Sequence, residues 1–172
     1  VVVDIDLSSQ GHDLRIAEKN LQLYHQLSGR AGRTGQSSTV YFQTYNFNTK
    51  MILDITNNDP EIFLEKEIEI RKKNNLPPFQ RFISLILTGE NENSLEKEAS
   101  KFKLFLQSKI KGKVLGPVSA PIFRIKKKYR VRLLIRGPKT LQLQNSLALI
   151  ISKYKFLSGI KLSVDVDPIS FN

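Results

Sequence analysis

Two arginines in a glycine-rich segment have the clearest chemical potential in this chain. Arg30 and Arg33 stand three positions apart within the run Gln26-Leu27-Ser28-Gly29-Arg30-Ala31-Gly32-Arg33. Glycine allows a sharp turn and the close approach of a ligand, and the planar guanidinium group binds phosphate oxygens bidentately. In phosphoryl transfer such an arginine neutralises charge that develops in the transition state. The segment therefore favours a phosphate site, with a basic surface loop as the alternative.

A second chemical feature is a row of cations on one strand. Side chains alternate between the two faces of a strand, so the apolar residues of Tyr129–Arg136 face one way and its arginines face the other. The cations are Lys126, Lys127 and Lys128 in a turn, followed by Arg130, Arg132 and Arg136 on the strand. Phosphate contacts from such a face give salt-dependent affinity with little sequence discrimination. We therefore predict non-specific binding of a nucleic acid.

The distribution of charge agrees with a polyanionic ligand for the second half. The 172 residues carry a net charge of +11. Residues 1–75 contain 9 Lys/Arg and 10 Asp/Glu, whereas residues 76–172 contain 18 and 6. Scattered solubilising charge mixes both signs, so we favour nucleic acid over a solvated basic face or an acidic protein partner. The absence of cysteine excludes a disulfide scaffold and thiol catalysis, and with two histidines no metal site is predicted.

The elements that must position the arginine segment follow an α/β pattern. We predict a buried strand at Val1–Ile5, a helix from Asp13 to about Ser28 that Gly29 ends, and a strand at Thr39–Thr44. This succession is typical of the end of a parallel sheet. Two further helices are predicted, one at Thr49–Ile55 and one from Asp59-Pro60 to about Lys73. Because the chain opens inside a strand and without Met, we interpret it as part of a longer protein.

The second half has the βαββαβ order of a ferredoxin-like α+β domain. The predicted elements are a strand at Phe79–Gly89, a helix from Asn93 to Ile110, an irregular edge strand at Val114–Ile125, a strand at Tyr129–Arg136, a helix at Thr140–Tyr154 and a closing strand at Ile160–Val166. Leu162, Val164 and Val166 are expected to face inward. Helices should cover one face of the sheet and leave the cationic face open. The boundary between the two parts is placed after residue 75.

Longer patterns add a family resemblance. Gln26–Arg33 has the form Q-x-x-G-R-x-G-R of the last motif of superfamily 2 helicases. Further matching segments are Asp13-Leu14-Arg15, Pro77-Pro78-Phe79, Val114-Leu115-Gly116-Pro117 and Val164-Asp165-Val166-Asp167-Pro168. Together they make the whole chain resemble the PriA family of bacterial replication-restart helicases, also called primosomal protein N′. The chain departs mildly at His12, Leu14 and Lys19, where the family usually has Pro, Phe and Arg.

The resemblance implies an ATP-dependent 3′-5′ DNA helicase that binds branched DNA and restarts stalled replication forks. Residues 1–75 would end the second RecA-like lobe, and residues 76–172 would be the DNA-binding domain. Arg33 and Arg30 would act as arginine fingers with Gln26 orienting the site, and Gly29 and Gly32 would belong to the nucleotide site. The remaining ligands of ATP and Mg²⁺, and the zinc-binding cysteines, would lie upstream, so this chain alone is predicted to be inactive.

The resemblance also implies partners and a location. These are branched or single-stranded DNA, the single-stranded-DNA-binding protein and other primosome proteins, in the bacterial cytoplasm at the nucleoid and without a membrane. Lys139 stands just before a helix start, where exposed amides favour a carboxylate. With Gln144 it could receive the acidic tail of the single-stranded-DNA-binding protein, although a solvated lysine is the alternative. From the residues alone, a non-catalytic nucleic-acid-binding module remains the alternative function.

Overall fold

The computed structural model describes residues 15–31, 39–45 and 60–169. The chain divides into two compact units, residues 1–70 and residues 71–172. The functional boundary placed after residue 75 stays a prediction. Within the described ranges, no helix combines the length and apolar character needed to cross a membrane.

The first unit contains helix α1 (Ile16–Ala31) and most of helix α2 (Pro60–Lys73). The helical spacing predicted a buried stripe on α1, and Leu21 and Tyr24 are buried there together with Phe63 of α2. Phe42 packs against this cluster, with its ring centroid 5.3 Å from that of Tyr24 at an interplanar angle of 80°. The small cluster holds the first half and the middle of α1, ahead of the arginine segment.

Two predictions for this unit are wrong over the described residues. Gly29 does not end α1, which continues to Ala31, because one glycine costs only about 1 kcal/mol within a helix and good helix formers follow it. Thr39–Thr44 is not a regular strand, since residues 39–45 contain only an isolated bridge at Phe42. Val1–Ile5, Asp13 and Thr49–Ile55 lie outside the described residues, so the parallel sheet stays a prediction.

The second unit confirms the α+β prediction and the βαββαβ order. Its elements are β1 (Gln80–Gly89), α3 (Glu92–Gln107), β2 (Lys113–Ile125), β3 (Lys128–Pro138), α4 (Leu141–Lys153) and β4 (Lys161–Val166). The four strands form one sheet in the order β2-β3-β1-β4, and all neighbouring pairs are antiparallel. A hydrophobic core joins the two helices to one face of the sheet, and its fully buried members include Leu85, Phe102, Leu133 and Ile135.

A side-chain cap sets the start of α3. The predicted helix start at Asn93 is wrong, because the cap is Asn91, whose side chain accepts a hydrogen bond from the Ser94 N–H at 2.9 Å. An Asx side chain two positions earlier satisfies the same kind of free helix N–H. The helix therefore begins at Glu92 and buries one apolar stripe against the sheet.

The inward-facing prediction for the closing strand is only partly right. Leu162 packs against the core. Val164 and Val166 lie opposite the buried Leu85 and Ile83, but 44% and 39% of their surfaces stay exposed. The reason is position, since β4 lies at one end of the sheet, whereas α3 packs against β2, β3 and β1.

Candidate nucleic-acid interface

The face of the sheet opposite the helices carries the predicted row of cations. On β3, Val131, Leu133 and Ile135 are buried in the core, so Arg130, Arg132 and Arg136 project from the other face. Two lysines extend this face. Lys113 of β2 lies directly opposite Arg136, and Lys161 of β4 lies opposite Thr88, which itself faces Arg130 across β1. The alternation predicted from sequence is therefore confirmed. We call the outward side chains of β2, β3 and β4 the open face.

The three arginines of the open face are not equivalent. Arg136 donates from Nε to Gln80 Oε1 at 2.8 Å and from Nη2 to the Asn74 carbonyl at 2.6 Å. Two of its five donors thus fasten the start of β1 and the segment before it to β3. Among the described residues, Arg130 has one longer bond, from Nη1 to the Ile122 carbonyl at 3.3 Å. Arg136 is therefore partly a structural residue, and Arg130 keeps more donors for a ligand.

Burial sets Arg132 apart. The side chain is half-buried, and desolvation lowers its pKa from the ordinary value. An arginine stays protonated across the physiological range even after such a shift. Arg132 lies between Arg130 and Arg136 on β3, which places it at the centre of the row.

The lysine turn has an uncommon backbone. Lys126 and Lys127 join β2 to β3 as a two-residue turn, with φ angles of 47° and 65°. Such hairpin turns usually contain Asn-Gly because both positions require φ > 0. Both lysines are exposed, and no hydrogen bond or ion pair of either is found among the described residues, whereas Lys128 lies 3.7 Å from Glu90. The two strained positions thus hold two unpaired cations at the tip of a hairpin.

Aromatic contacts stiffen the base of this turn. The Phe123 and Tyr129 rings face each other across the hairpin at 5.3 Å and 66°. The Arg124 guanidinium lies 4.9 Å from the centre of the Tyr129 ring, within the range of a cation–π contact. The tip is therefore braced by side chains on both strands.

The edge strand β2 is irregular, as predicted. Its register with β3 shifts between Leu115 and Val118 and again between Ser119 and Arg124. The first shift contains Gly116 at φ 97°, where a Cβ atom would lie 2.7 Å from the Arg132 carbonyl oxygen. Lys103 of α3 donates to the Gly116 carbonyl at 2.6 Å. This glycine lets β2 approach the backbone that carries Arg132.

The predicted nucleotide-binding residues are only partly described. Gln26 is exposed near the end of α1. The backbone of Gly29 and Arg30 continues the same helix, one turn after Gln26. Gly32 and Arg33 lie outside the described residues, so the role of this segment stays a prediction.

The predicted partner site lies at the start of α4. Lys139 is exposed, Gln144 is half-buried, and Thr140 occupies the N-cap position without a side-chain cap bond. A cavity of about 170 Å³ opens beside this helix start, with Lys109, Lys111 and Gln142 among its walls. Across the described ranges no group of three or more metal-ligating side chains comes together.

Comparison with known proteins assigns the second unit to a protein family. The family model described as the primosomal protein N C-terminal domain matches residues 72–169. This chain belongs to the PriA family. The matched residues span the whole sheet and both helices that cover it, so the open face lies within the family's C-terminal domain.

The relatives extend the match to nearly the whole chain. The replication restart protein PriA of Rickettsia felis is 38% identical over 170 residues, which are 99% of this chain and 26% of the relative. The proteins of the same name from Synechocystis and Bacillus subtilis are 32% and 31% identical, over 93% and 97% of this chain and 19% and 21% of their own lengths. The chain thus spans about a quarter or less of the relatives it matches.

Two features of the open face in this PriA-family domain have no clear signal in the sequence. Lys113 joins the row because β2 begins one residue earlier than the apolar pattern indicates. The bonds of Arg136 to Gln80 and Asn74 join residues more than fifty positions apart, and only the antiparallel register of β1 with β3 brings them together.

Proposed function

We propose that this chain is the C-terminal part of an ATP-dependent 3′-5′ DNA helicase that binds branched DNA and restarts stalled replication forks. Relatives named replication restart protein PriA match almost the whole chain. The observation that carries the DNA-binding role is the cation row on one sheet face, with Arg130 and Arg132 at its centre. Phosphates are the ligands that such a row attracts.

The helicase role rests on the segment from Gln26 to Arg33. In this proposal residues 1–75 end a RecA-like lobe of superfamily 2, and Arg33 and Arg30 approach the γ-phosphate of ATP. ATP with Mg²⁺ supplies the energy for strand separation, and its other ligands come from the upstream part of the protein. The 172-residue chain alone should therefore show no DNA-stimulated ATP hydrolysis. Measurable turnover by the purified chain would contradict the assignment.

The DNA-binding role can be tested by the salt dependence of affinity in the 172-residue chain. The double variant Arg130→Gln/Arg132→Gln should lower the slope of log affinity against log salt by roughly one to two units, on unrelated sequences alike. The matched control is Lys97→Gln/Lys101→Gln, which removes the same charge from exposed positions of α3 on the helix side of the domain. An equal loss in both double variants would mean that net charge, not the open face, attracts DNA.

A protein partner is a second part of the proposal. Lys139 and Gln144 lie at a helix start without an acidic residue in its first turn, where a carboxylate is favoured. We expect them to contact the acidic tail of the single-stranded-DNA-binding protein, beside other primosome proteins, at the nucleoid in the bacterial cytoplasm. Lys139→Glu should weaken binding of a labelled acidic tail peptide, whereas Lys153→Glu at the far end of α4 should not. Equal affinities would remove this contact.

A further inference from the structure

Four large aliphatic side chains are exposed along one strand of the open face's hairpin. All four belong to β2, and their exposed fractions are 36% for Leu115, 51% for Val118, 49% for Ile122 and 42% for Ile125. Single exposed aliphatic residues are normal on protein surfaces, but a contiguous group marks an interaction site. The contiguous group on β2 therefore favours a ligand with apolar surface.

The strand register places these side chains beside the cations. Val118 lies directly opposite Arg132, and Ile125 lies directly opposite Lys128. Ile122 belongs to the bulged part of β2, and its carbonyl accepts the hydrogen bond from Arg130. Neighbouring strands lie about 4.8 Å apart, so an aliphatic row on β2 and a cationic row on β3 run side by side.

Another strand is a poor candidate for the ligand. Two prolines, Pro117 and Pro121, lie within β2 and have no N–H to donate to an added strand. The two register shifts further interrupt the regular edge that strand addition requires. The edge of β2 is thus protected against pairing, and recognition must come from its side chains.

The chemistry that fits both rows is a single-stranded polynucleotide. A duplex presents phosphates and groove edges, and its base faces are stacked inside. A single strand exposes the apolar faces of its bases next to its phosphates, and proteins bind it by combining a cationic groove with side chains, usually aromatic, that contact the base faces. On β2 that apolar surface is aliphatic. The β2 row has the apolar character and the β3 row has the charge.

We propose that β2 and β3 form a track for single-stranded DNA, with phosphates on the β3 cations and bases against the β2 aliphatic side chains. This inference rests on the proposed DNA-binding function of the open face. It divides the affinity into two parts. The contribution of β3 falls with added salt, and the contribution of β2 does not.

The experiment uses Val118→Ser/Ile122→Ser in the 172-residue chain and three labelled probes. The probes are an oligothymidylate, an abasic strand of equal length and a duplex of equal phosphate number. The variant should bind oligothymidylate about tenfold or more weakly, at about three- to fivefold per side chain, because each change removes methyl groups from a half-buried contact. Its salt slope on this probe should be unchanged, and its affinity for the abasic strand and the duplex should stay within about twofold.

Two controls keep the outcome interpretable. Leu104→Ser/Leu149→Ser removes aliphatic surface from exposed positions on the helices, and it should change no affinity. Val118→Thr keeps the β-branched shape that a strand prefers, so it should fold normally and still weaken binding to oligothymidylate. Thermal unfolding checks the fold of each variant.

The outcomes distinguish failure of the single-strand track from failure of the proposed DNA-binding function. If the unaltered chain binds none of the three probes, the DNA-binding function is wrong and the track falls with it. If the chain binds but Val118→Ser/Ile122→Ser has no effect, only the track is wrong. An equal loss on the duplex would overturn the track in favour of insertion into a groove.

Discussion

The arginines to which we assign functions are arranged differently in the two units of this chain. In the first unit, the proposed catalytic arginines are concentrated in one segment, at and after the end of α1. In the second, arginines and lysines are distributed over three strands and a turn. A single group that meets a reacting phosphate can control a whole rate, whereas each phosphate contact of a distributed surface adds one similar increment. Substitutions in the two units should therefore differ in size and in kind.

Arg33→Ala in the full-length protein should give the largest effect. Loss of an arginine finger lowers the rate of phosphoryl transfer by about 10³-fold or more, so DNA-stimulated ATP hydrolysis should nearly disappear. DNA affinity should be unchanged because the open face is intact. ATPase and DNA-binding measurements on the same preparation check both parts, and near-normal hydrolysis would remove the contrast between the two units.

Gly116→Ala should have the next largest effect, on the scaffold of the open face. The alanine would have to adopt a φ of 97°, which is unfavourable for a residue with a Cβ atom. That Cβ would also lie only 2.7 Å from the Arg132 carbonyl oxygen. We expect the free energy of unfolding in urea to fall by roughly 2–3 kcal/mol.

Gly159→Ala is the matched control for this change. Gly159 has a similar φ of 84°, but no atom lies within 4 Å of its added Cβ. Gly159→Ala should lower the free energy of unfolding by only about 1 kcal/mol, from backbone strain alone. Equal costs for the two variants would mean that β2 can move away from β3, and that the close approach does not hold the face in shape.

Features with a local cause are predicted from the sequence, and features that depend on residues far apart in the chain are not. The order of elements and the two faces of β3 follow from hydrophobic periodicity, which is a local property. The bonds of Arg136 to Gln80 and Asn74 depend on strand register, which the pattern within one strand does not determine. The exposure of Val164 and Val166 depends on where β4 lies in the sheet. The end of α1 was misplaced because Gly29 permits a turn but does not require one.

Tyr154→Phe should test the covered face of the same sheet. Glu98 is 3% exposed, and the Tyr154 hydroxyl donates to its Oε1 at 3.1 Å. Without that hydroxyl a buried carboxylate oxygen loses its donor, which costs about 1–3 kcal/mol in the free energy of unfolding. DNA affinity should not change, since the pair lies on the side away from the open face.

The pH dependence of stability gives this variant a specific signature. Burial, and next the charge of Glu98, raise the pKa of Tyr154 to about 12. The folded chain holds this proton more tightly than the unfolded chain, whose tyrosine pKa is about 10. The stabilisation that the protonated Tyr154 contributes is therefore complete below about pH 10 and is lost as the pH rises towards 12. Tyr154→Phe should remove this alkaline loss, whereas Tyr129→Phe should retain it.

The smallest effect is expected at the lysine turn, where stability and binding should change in opposite directions. Lys126→Asn/Lys127→Gly supplies the residues that tolerate φ values of 47° and 65°. The free energy of unfolding should rise by at least about 1 kcal/mol, because glycine at position 127 removes a cost of about that size and asparagine tolerates the left-handed region at position 126 better than lysine does. DNA affinity should fall several-fold at low salt, since two exposed cations are removed. The matched variant Lys126→Gln/Lys127→Gln removes the same charge and keeps the strain, so its affinity should fall equally without a gain in stability. A stabilised Asn-Gly variant with unchanged affinity would mean that the strained lysines contribute nothing to the distributed surface.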